Sequence, residues 1–145
     1  MTRARSLSAF AVLALIAALG CQSVATTSAK LRNQEGNYEA ALKLAKEALE
    51  KNPNDAEAHF QLAVSYSYLD SVGLAYEHYV KAKELDPEKT ADAENNIQSN
   101  FAKHYKLGQS SFNRQDMKTA ATEFTLATKA NPTQARAYYN LAVTY

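Results

Sequence analysis

Apolar residues recur along most of the chain at spacings of three and four, the period of an α-helix with one buried face. The pattern is clearest where Leu62, Ala63 and Tyr66 are followed by Ala75 and Tyr79. Small side chains let two helix backbones approach, and larger ones fill the space between them. Four glycines, three prolines and no tryptophan agree with this pattern. We therefore predict an all-α chain.

The beginning of the chain has a different pattern. Two arginines precede an apolar run from Leu7 to Leu19, which is followed by Gly20 and Cys21. A basic start before a short apolar run is the layout of an export signal. The run has thirteen residues, fewer than the about twenty that a membrane-spanning helix needs. We predict a signal peptide over residues 1–20, with an uncleaved membrane anchor as the alternative.

The end of this segment, Ala-Leu-Gly-Cys, resembles a bacterial lipobox, in which the cysteine is lipidated and becomes the new N-terminus. A lipobox usually carries leucine three residues before the cysteine and a small residue two before it. These two residue types stand in reversed order here, so ordinary cleavage after Ala25 or Ala29 is an alternative. Cys21 is the only cysteine, and no disulfide can form within the chain. The resemblance implies a palmitate-bearing lipid anchor on Cys21 in the cell envelope. Gln22 after the cysteine implies the outer membrane, facing the periplasm.

The prolines indicate a repeat. Pro53, Pro87 and Pro132 each follow Asn or Asp, at intervals of 34 and 45 residues, so the second interval contains eleven extra residues. The residue before a proline is disfavoured in the helical region, and proline lacks the amide that a continuing helix requires. Each proline is therefore predicted to follow the end of a helix. A period of 34 residues predicts stacked helical hairpins, with one insertion.

The residues between the prolines resemble the tetratricopeptide repeat (TPR), whose pattern runs through two helices and closes on proline. Three units resemble it at these positions: His59, Leu62, Ala63, Tyr66, Ala75, Tyr79 and Ala82; His104, Leu107, Gly108, Ser111, Ala120, Phe124 and Ala127; and Tyr138, Leu141, Ala142 and Tyr145. An earlier unit resembles it in its closing helix alone. The resemblance implies an all-α TPR helical-hairpin solenoid of about three repeats plus the opening helix of a fourth over residues 34–145. Residues 21–33 are expected to be a tether and a degenerate start of the first repeat.

The eleven extra residues precede the third unit. Eleven residues make almost three helical turns, so a helix extended by that length keeps nearly the same buried face. One stripe of residues supports this continuity: Ala93, Ile97, Phe101, Tyr105, Gly108 and Phe112. We predict one long helix from about residue 91 to residue 113, with its early turns projecting from the stack. The alternative is a shorter helix after a loose linker.

In TPR proteins the opening helices line a concave groove that holds a partner's peptide or helix. The family's groove positions, matched residue by residue, imply this partner-binding set: Phe60, Val64, Tyr105, Gln109, Phe112 and Tyr139. Aromatic residues at three equivalent places favour a partner with apolar or aromatic side chains. The alternative is that these rings pack on neighbouring helices. The clamp with which some TPR chaperone adaptors bind a terminal carboxylate is disfavoured, because Val64 and Gln109 do not supply it.

Charge and polar residues indicate a binding protein and not an enzyme. Thirteen acids and eight bases lie in residues 22–100, whereas two acids and six bases lie in residues 101–145. No basic run indicates a nucleic-acid partner. The sequence contains no HExxH motif, nucleophile elbow, phosphate loop or calcium-binding loop. We therefore expect no catalytic residue, no metal site and no cofactor.

The expected function is a membrane-tethered scaffold or adaptor that binds other envelope proteins, in assembly, pilus or secretion machinery. Two alternatives stay open: a targeting module of a larger enzyme whose catalytic domain lies beyond residue 145, and a structural lipoprotein that contacts peptidoglycan. Tyr145 falls inside the opening helix of the fourth repeat. We expect either that the chain continues or that another molecule, including a second copy, covers the exposed helix.

Overall fold

The computed structural model describes residues 23–145, and the predicted signal peptide and Cys21 lie outside them. The described part is all-α, as predicted. Its seven α-helices are α1 Val24–Gln34, α2 Tyr38–Lys51, α3 Ala56–Tyr68, α4 Val72–Leu85, α5 Thr90–Asn113, α6 Met117–Ala130 and α7 Ala135–Val143, with a 3-10 helix at Pro87–Lys89. Three hairpins, α1–α2, α3–α4 and α5–α6, stack in order, and α7 packs on α6. None of these helices is long and apolar enough to cross a membrane.

The helix ends and turns repeat along the chain. The predicted ends before the prolines are confirmed, because α2, α4 and α6 stop at residues with extended backbones: Asn52, Asp86 and Asn131. Each hairpin turn contains one residue with a left-handed backbone: Gly36 at φ 77°, Asp70 at φ 54° and Gln115 at φ 62°. Glycine adopts this conformation without a steric penalty, whereas the repeat geometry imposes it on the other two residues.

Residues 24–34 form α1, in the segment that was expected to contain a tether and the degenerate start of the first repeat. The Thr26 hydroxyl donates a hydrogen bond to the Asp55 carboxylate at 2.6 Å. The Asn33 side-chain amide donates to the backbone carbonyl of Gln61 at 2.8 Å. Because these buried positions are polar, the first helix lacks the apolar pattern of the later repeats. Helix α1 is compatible with the expected degenerate start of the first repeat, and the tether stays a prediction.

The single long helix predicted for the third unit is confirmed by α5. Its early turns do not project, however, because Ala93 is fully buried and Ile97 is 6% exposed. Both pack against the second hairpin, in a cluster that includes Ala63 and Tyr79. That part of the prediction was wrong, since the extra turns keep the apolar face of α5 directed at the hairpin before it.

The extra length instead moves the third hairpin along its own axis. Between the first two hairpins, the Ser65 hydroxyl near the end of α3 donates to Asn33 beside the first turn. Between the next two, Asp70 in the second turn accepts a hydrogen bond from Lys103, in the middle of α5, at 2.6 Å. The second half of α5 therefore extends past the second hairpin. Leu107, a packing position of the repeat pattern, is 46% exposed there.

A partly buried ion pair holds the connection between α4 and α5. Glu57 on α3 is 7% exposed and accepts hydrogen bonds from Lys89 of the 3-10 helix and from Gln61. Burial raises the pKa of Glu57, but the hydrogen bonds from Lys89 and Gln61 and the nearby positive charges outweigh burial, so its pKa lies below its ordinary value. The pair joins the start of the second hairpin to the segment that leads into the third.

Candidate functional site

An open pocket of about 390 Å³ lies between the end of α5 and α7. Its lining comes from α5, α6 and α7: Gln109, Phe112, Asn113, Phe124, Tyr139, Asn140 and Val143. Three residues of the predicted partner-binding set, Gln109, Phe112 and Tyr139, therefore share one surface. The pocket lies between two successive opening helices, where the repeat pattern places a groove.

The floor of the pocket is the ring of Phe124 on α6, which is 1% exposed. This ring lies directly against the backbone of α5 at Gly108. A Cβ atom at Gly108 would stand 2.7 Å from two carbons of the ring, closer than two carbon atoms can pack. The absence of a side chain at Gly108 thus allows the close approach of α5 and α6 that forms the floor.

The walls of the pocket combine apolar side chains with amides. Tyr139 and Val143 stand one turn apart on α7 and are 72% and 51% exposed. Gln109 and Asn113 stand one turn apart on α5, and both are exposed. Each amide side chain carries donors and an acceptor. The surface can therefore take an apolar side chain and hydrogen-bond a polypeptide backbone beside it.

Tyr105, also predicted for the groove, supports the wall from behind. Its half-buried ring stacks on Phe101, with ring centroids 5.2 Å apart, and lies 5.7 Å from the ring of Phe124. The Arg136 guanidinium covers both Phe101 and Tyr105, at 4.7 Å and 4.9 Å from their ring centroids. The Tyr105 hydroxyl accepts a hydrogen bond from Asn140 at 2.9 Å. Packing on neighbouring side chains is thus the role that the structure shows for this ring.

Phe60 and Val64 are separated from the pocket. Both are half-buried against the cluster in which the early turns of α5 meet α3 and α4. The Phe60 ring meets Tyr79 edge-on at 5.4 Å, and the Lys89 ammonium lies 5.6 Å from the Phe60 centroid. The structure therefore does not bring the six predicted groove residues together. The helical extension of α5, which packs across α3 at this level, is the physical reason.

The charge of the pocket follows from the same residues. None of its lining residues is acidic, and the Arg136 guanidinium covers the Tyr105 ring behind the wall. The described residues after residue 100 also carry more bases than acids. The pocket without acidic side chains thus lies in a part of the chain with an excess of basic residues.

One pair of polar residues was missed by the sequence analysis. The Nδ1 atoms of His59 on α3 and His78 on α4 lie 2.9 Å apart. The third hairpin has an equivalent pair, in which His104 Nδ1 and Glu123 Oε2 lie 2.8 Å apart. A shared offset of nineteen residues in both hairpins was the signal that could have revealed the pairing. Within residues 23–145, no group of three His, Cys, Asp or Glu side chains could hold a metal ion.

Family models agree with the hairpin geometry. Residues 24–65 and residues 56–89 each match a model of the tetratricopeptide repeat. Residues 24–89 therefore contain tetratricopeptide repeats. The first match begins at α1, where the degenerate start of the first repeat was expected. The three hairpins and α7 together form an all-α solenoid, and the first two hairpins lie within the matched residues.

Two solved structures are similar to this chain. YrrB, a TPR protein with an unusual peptide-binding site, is 21% identical over 83% of this chain and 74% of that chain, with a TM-score of 0.42. The MamA RS-1 ArsTM double mutant is 23% identical over 86% of this chain and 66% of that chain, with a TM-score of 0.38. No curated protein matches the chain in sequence. At these identities the likeness concerns the fold alone.

Proposed function

We propose that the chain is a protein-binding scaffold and that the pocket between α5 and α7 takes up an extended segment of a partner protein. The observation that carries the proposal is the exposure of Tyr139, 72%, above a pocket with a buried aromatic floor. Exposed aromatic side chains beside a concave apolar surface are the usual anchors of protein recognition. TPR repeats, which present such surfaces between stacked hairpins, support the same function.

The chemistry of the pocket defines the partner segment. An apolar or aromatic side chain fits above Phe124, between Phe112 and Tyr139. The amides of Gln109 and Asn113 are placed to hydrogen-bond the backbone of the segment. Because no lining residue is acidic and the residues after residue 100 carry more bases than acids, we expect the segment to carry an acidic residue beside its apolar anchor.

A library of random peptides displayed on phage tests this proposal without a known partner. Tyr139→Ala removes the exposed anchor, whereas Tyr138→Ala is a matched control because Tyr138 is 48% exposed and outside the pocket. We expect selected peptides to combine apolar and acidic residues, to bind the Tyr138 variant normally and to bind the Tyr139 variant at least about tenfold more weakly. If the library yields no binder, or if both variants bind equally well, the pocket is not the binding site.

We also propose that a lipid on Cys21 tethers the scaffold to the cell envelope, at the periplasmic face of the outer membrane. The support is the sequence alone, in which a short apolar run ends at a lipobox-like Cys21. Metabolic labelling with palmitate in a bacterial host should mark the chain, and Cys21→Ser should abolish the label. Fractionation of the labelled cells should place the chain with the outer membrane. An unlabelled chain, or labelling that persists in the variant, would exclude lipidation of this cysteine.

The wider role that we propose is the assembly of other envelope proteins, in pilus, secretion or assembly machinery. A second copy of the chain is one partner of suitable chemistry, because α7 and the residues after it expose Tyr138, Val143 and Tyr145. Sedimentation velocity over a range of concentrations tests self-association. A dimer that dissociates in Tyr145→Lys would support it, and a monomer at all concentrations would leave other envelope proteins as the partners.

A further inference from the structure

We propose that His59 and His78 form a binding site for a divalent transition-metal cation of borderline softness, such as Zn²⁺. The site lies on the second hairpin, apart from the pocket between α5 and α7, and goes beyond the scaffold function. The two Nδ1 atoms are 2.9 Å apart. On a tetrahedral zinc ion with Zn–N bonds of about 2.0–2.1 Å, two ligand nitrogens stand roughly 3.3 Å apart. A small separation of the two rings therefore admits the ion.

The protonation of His59 already suits a metal ligand. Its Nε2 lies 2.9 Å from the backbone carbonyl oxygen of Pro53, which can only accept a hydrogen bond. Nε2 therefore carries the proton, and the lone pair on Nδ1 is directed at His78. Metal-binding histidines commonly donate their second ring nitrogen to a carbonyl or carboxylate in this way, which fixes the ring.

The surroundings of His78 orient its ring and disfavour its protonated form. Burial and the neighbouring His59 lower the pKa of His78, and Glu77 and Lys46 act on it in opposite directions. The Tyr66 ring stacks on His78 with centroids 5.7 Å apart. In the metal-free pair, the His78 Nδ1 proton forms the hydrogen bond to His59. On metal binding that proton is released from Nδ1 while Nε2 takes one up from water, so the imidazole stays neutral.

The equivalent pair in the third hairpin shows what distinguishes this site. There His104 faces the carboxylate of Glu123, and His104 is 2% exposed. A hydrated cation cannot reach such a buried ring. His59 and His78 are each half-buried, so the second hairpin offers two accessible imidazoles in the same position. Water completes the coordination, and we expect weaker binding than at zinc sites with four protein ligands.

Zinc titration of the full chain, followed through the ring signals of its three histidines by NMR, tests the proposal. Cys21→Ser is included in every sample, because a thiolate is itself a zinc ligand. At about pH 7.5 we expect the signals of His59 and His78 to shift together and those of His104 to stay unchanged. His78→Gln keeps a hydrogen-bonding side chain and should weaken zinc binding at least about tenfold. Glu123→Gln, in the equivalent pair, should leave the affinity unchanged.

His59→Gln provides a second variant, and circular dichroism confirms that each variant stays helical. The proposal would be overturned if the ring signals of His59 and His78 did not shift in millimolar zinc. An unchanged zinc affinity in both histidine variants would also overturn it. A shift of His104 equal to that of the pair would also overturn it. The peptide-display experiment uses no metal, so failure of the zinc site and failure of the scaffold function are separate outcomes.

Discussion

The hydroxyl of Tyr105 on α5 accepts a hydrogen bond from the side chain of Asn140 on α7, at 2.9 Å. Asn140 directly follows Tyr139, the most exposed aromatic side chain of the pocket. The bond therefore fixes α7 at the point where it presents its anchor to a partner. Arg136, one turn earlier on α7, packs on the same Tyr105 ring. The orientation of the proposed binding surface thus depends on a residue beneath it.

Removing this bond should loosen α7 selectively. Tyr105→Phe keeps the ring packed on Phe101 and Phe124 but removes the acceptor for Asn140. We expect the free energy of unfolding to fall by about 0.5–1.5 kcal/mol, the usual net contribution of one such hydrogen bond. Urea denaturation measures that change, and amide hydrogen exchange should accelerate in α7 more than in α1 to α4. Unchanged exchange in α7 would show that the bond does not hold the helix.

The two helical glycines should respond to alanine in opposite ways. At Gly108 the added methyl would meet the buried Phe124 ring at 2.7 Å, whereas at Gly73 it would meet the Lys129 side chain at 3.6 Å, an ordinary contact. Gly108→Ala should destabilise the chain by about 1–3 kcal/mol through overpacking. Gly73→Ala should be neutral or stabilise it by up to about 1 kcal/mol, because alanine favours helix. Thermal unfolding of both variants decides this, and equal effects would contradict the close packing at Gly108.

The Glu57–Lys89 pair should make stability depend on pH in the acid range. The pKa of Glu57 lies below its ordinary value of 4.5, so the ionised form is favoured by folding. Its contribution is fully present above that ordinary value and is lost as pH falls through the lower pKa of the folded state. Glu57→Gln should lower stability by about 1–3 kcal/mol at neutral pH. The difference between the two proteins should vanish in acid.

Urea denaturation from neutral pH to about pH 3 provides the comparison. The pKa values of Asp70 and Asp116 are also lowered, by the hydrogen bonds from Lys103 and Thr119. Both acids are present in the variant, so it should keep part of its acid sensitivity. A pH-independent difference between the two proteins would mean that packing, and not charge, explains the effect of the substitution.

The fold was predictable from the sequence wherever local signals repeat. The Asn/Asp-Pro pairs marked the ends of α2, α4 and α6, and the helical period across the insertion predicted α5. The first helix was predicted only as part of a tether and degenerate repeat start, because Thr26 and Asn33 are buried through hydrogen bonds and no apolar pattern marks them. The helical period of the sequence could identify the helices, but it does not determine where a longer helix lies along its neighbour.

The displaced position of α5 along the second hairpin explains why the candidate site was only partly predicted. Gln109, Phe112 and Tyr139 do meet, since they lie on successive opening helices whose spacing follows the repeat. Phe60 occupies an equivalent place in the pattern, yet the extra turns of α5 pack across it. Whether a repeat position is open depends on the neighbouring hairpin, and a pattern within one repeat does not contain that information.

Phe60 and Tyr139 should therefore behave differently when each is replaced by alanine. Phe60 is half-buried and packs edge-on against Tyr79, so Phe60→Ala should cost about 2–4 kcal/mol of stability. Tyr139 is 72% exposed, and its replacement should change stability by less than about 0.5 kcal/mol. Peptides selected for binding should show the opposite order, with normal affinity for the folded Phe60 variant and weak affinity for the Tyr139 variant. Equal loss of affinity in both variants would mean that one groove runs from α3 to α7 and that a partner displaces the early turns of α5 from Phe60.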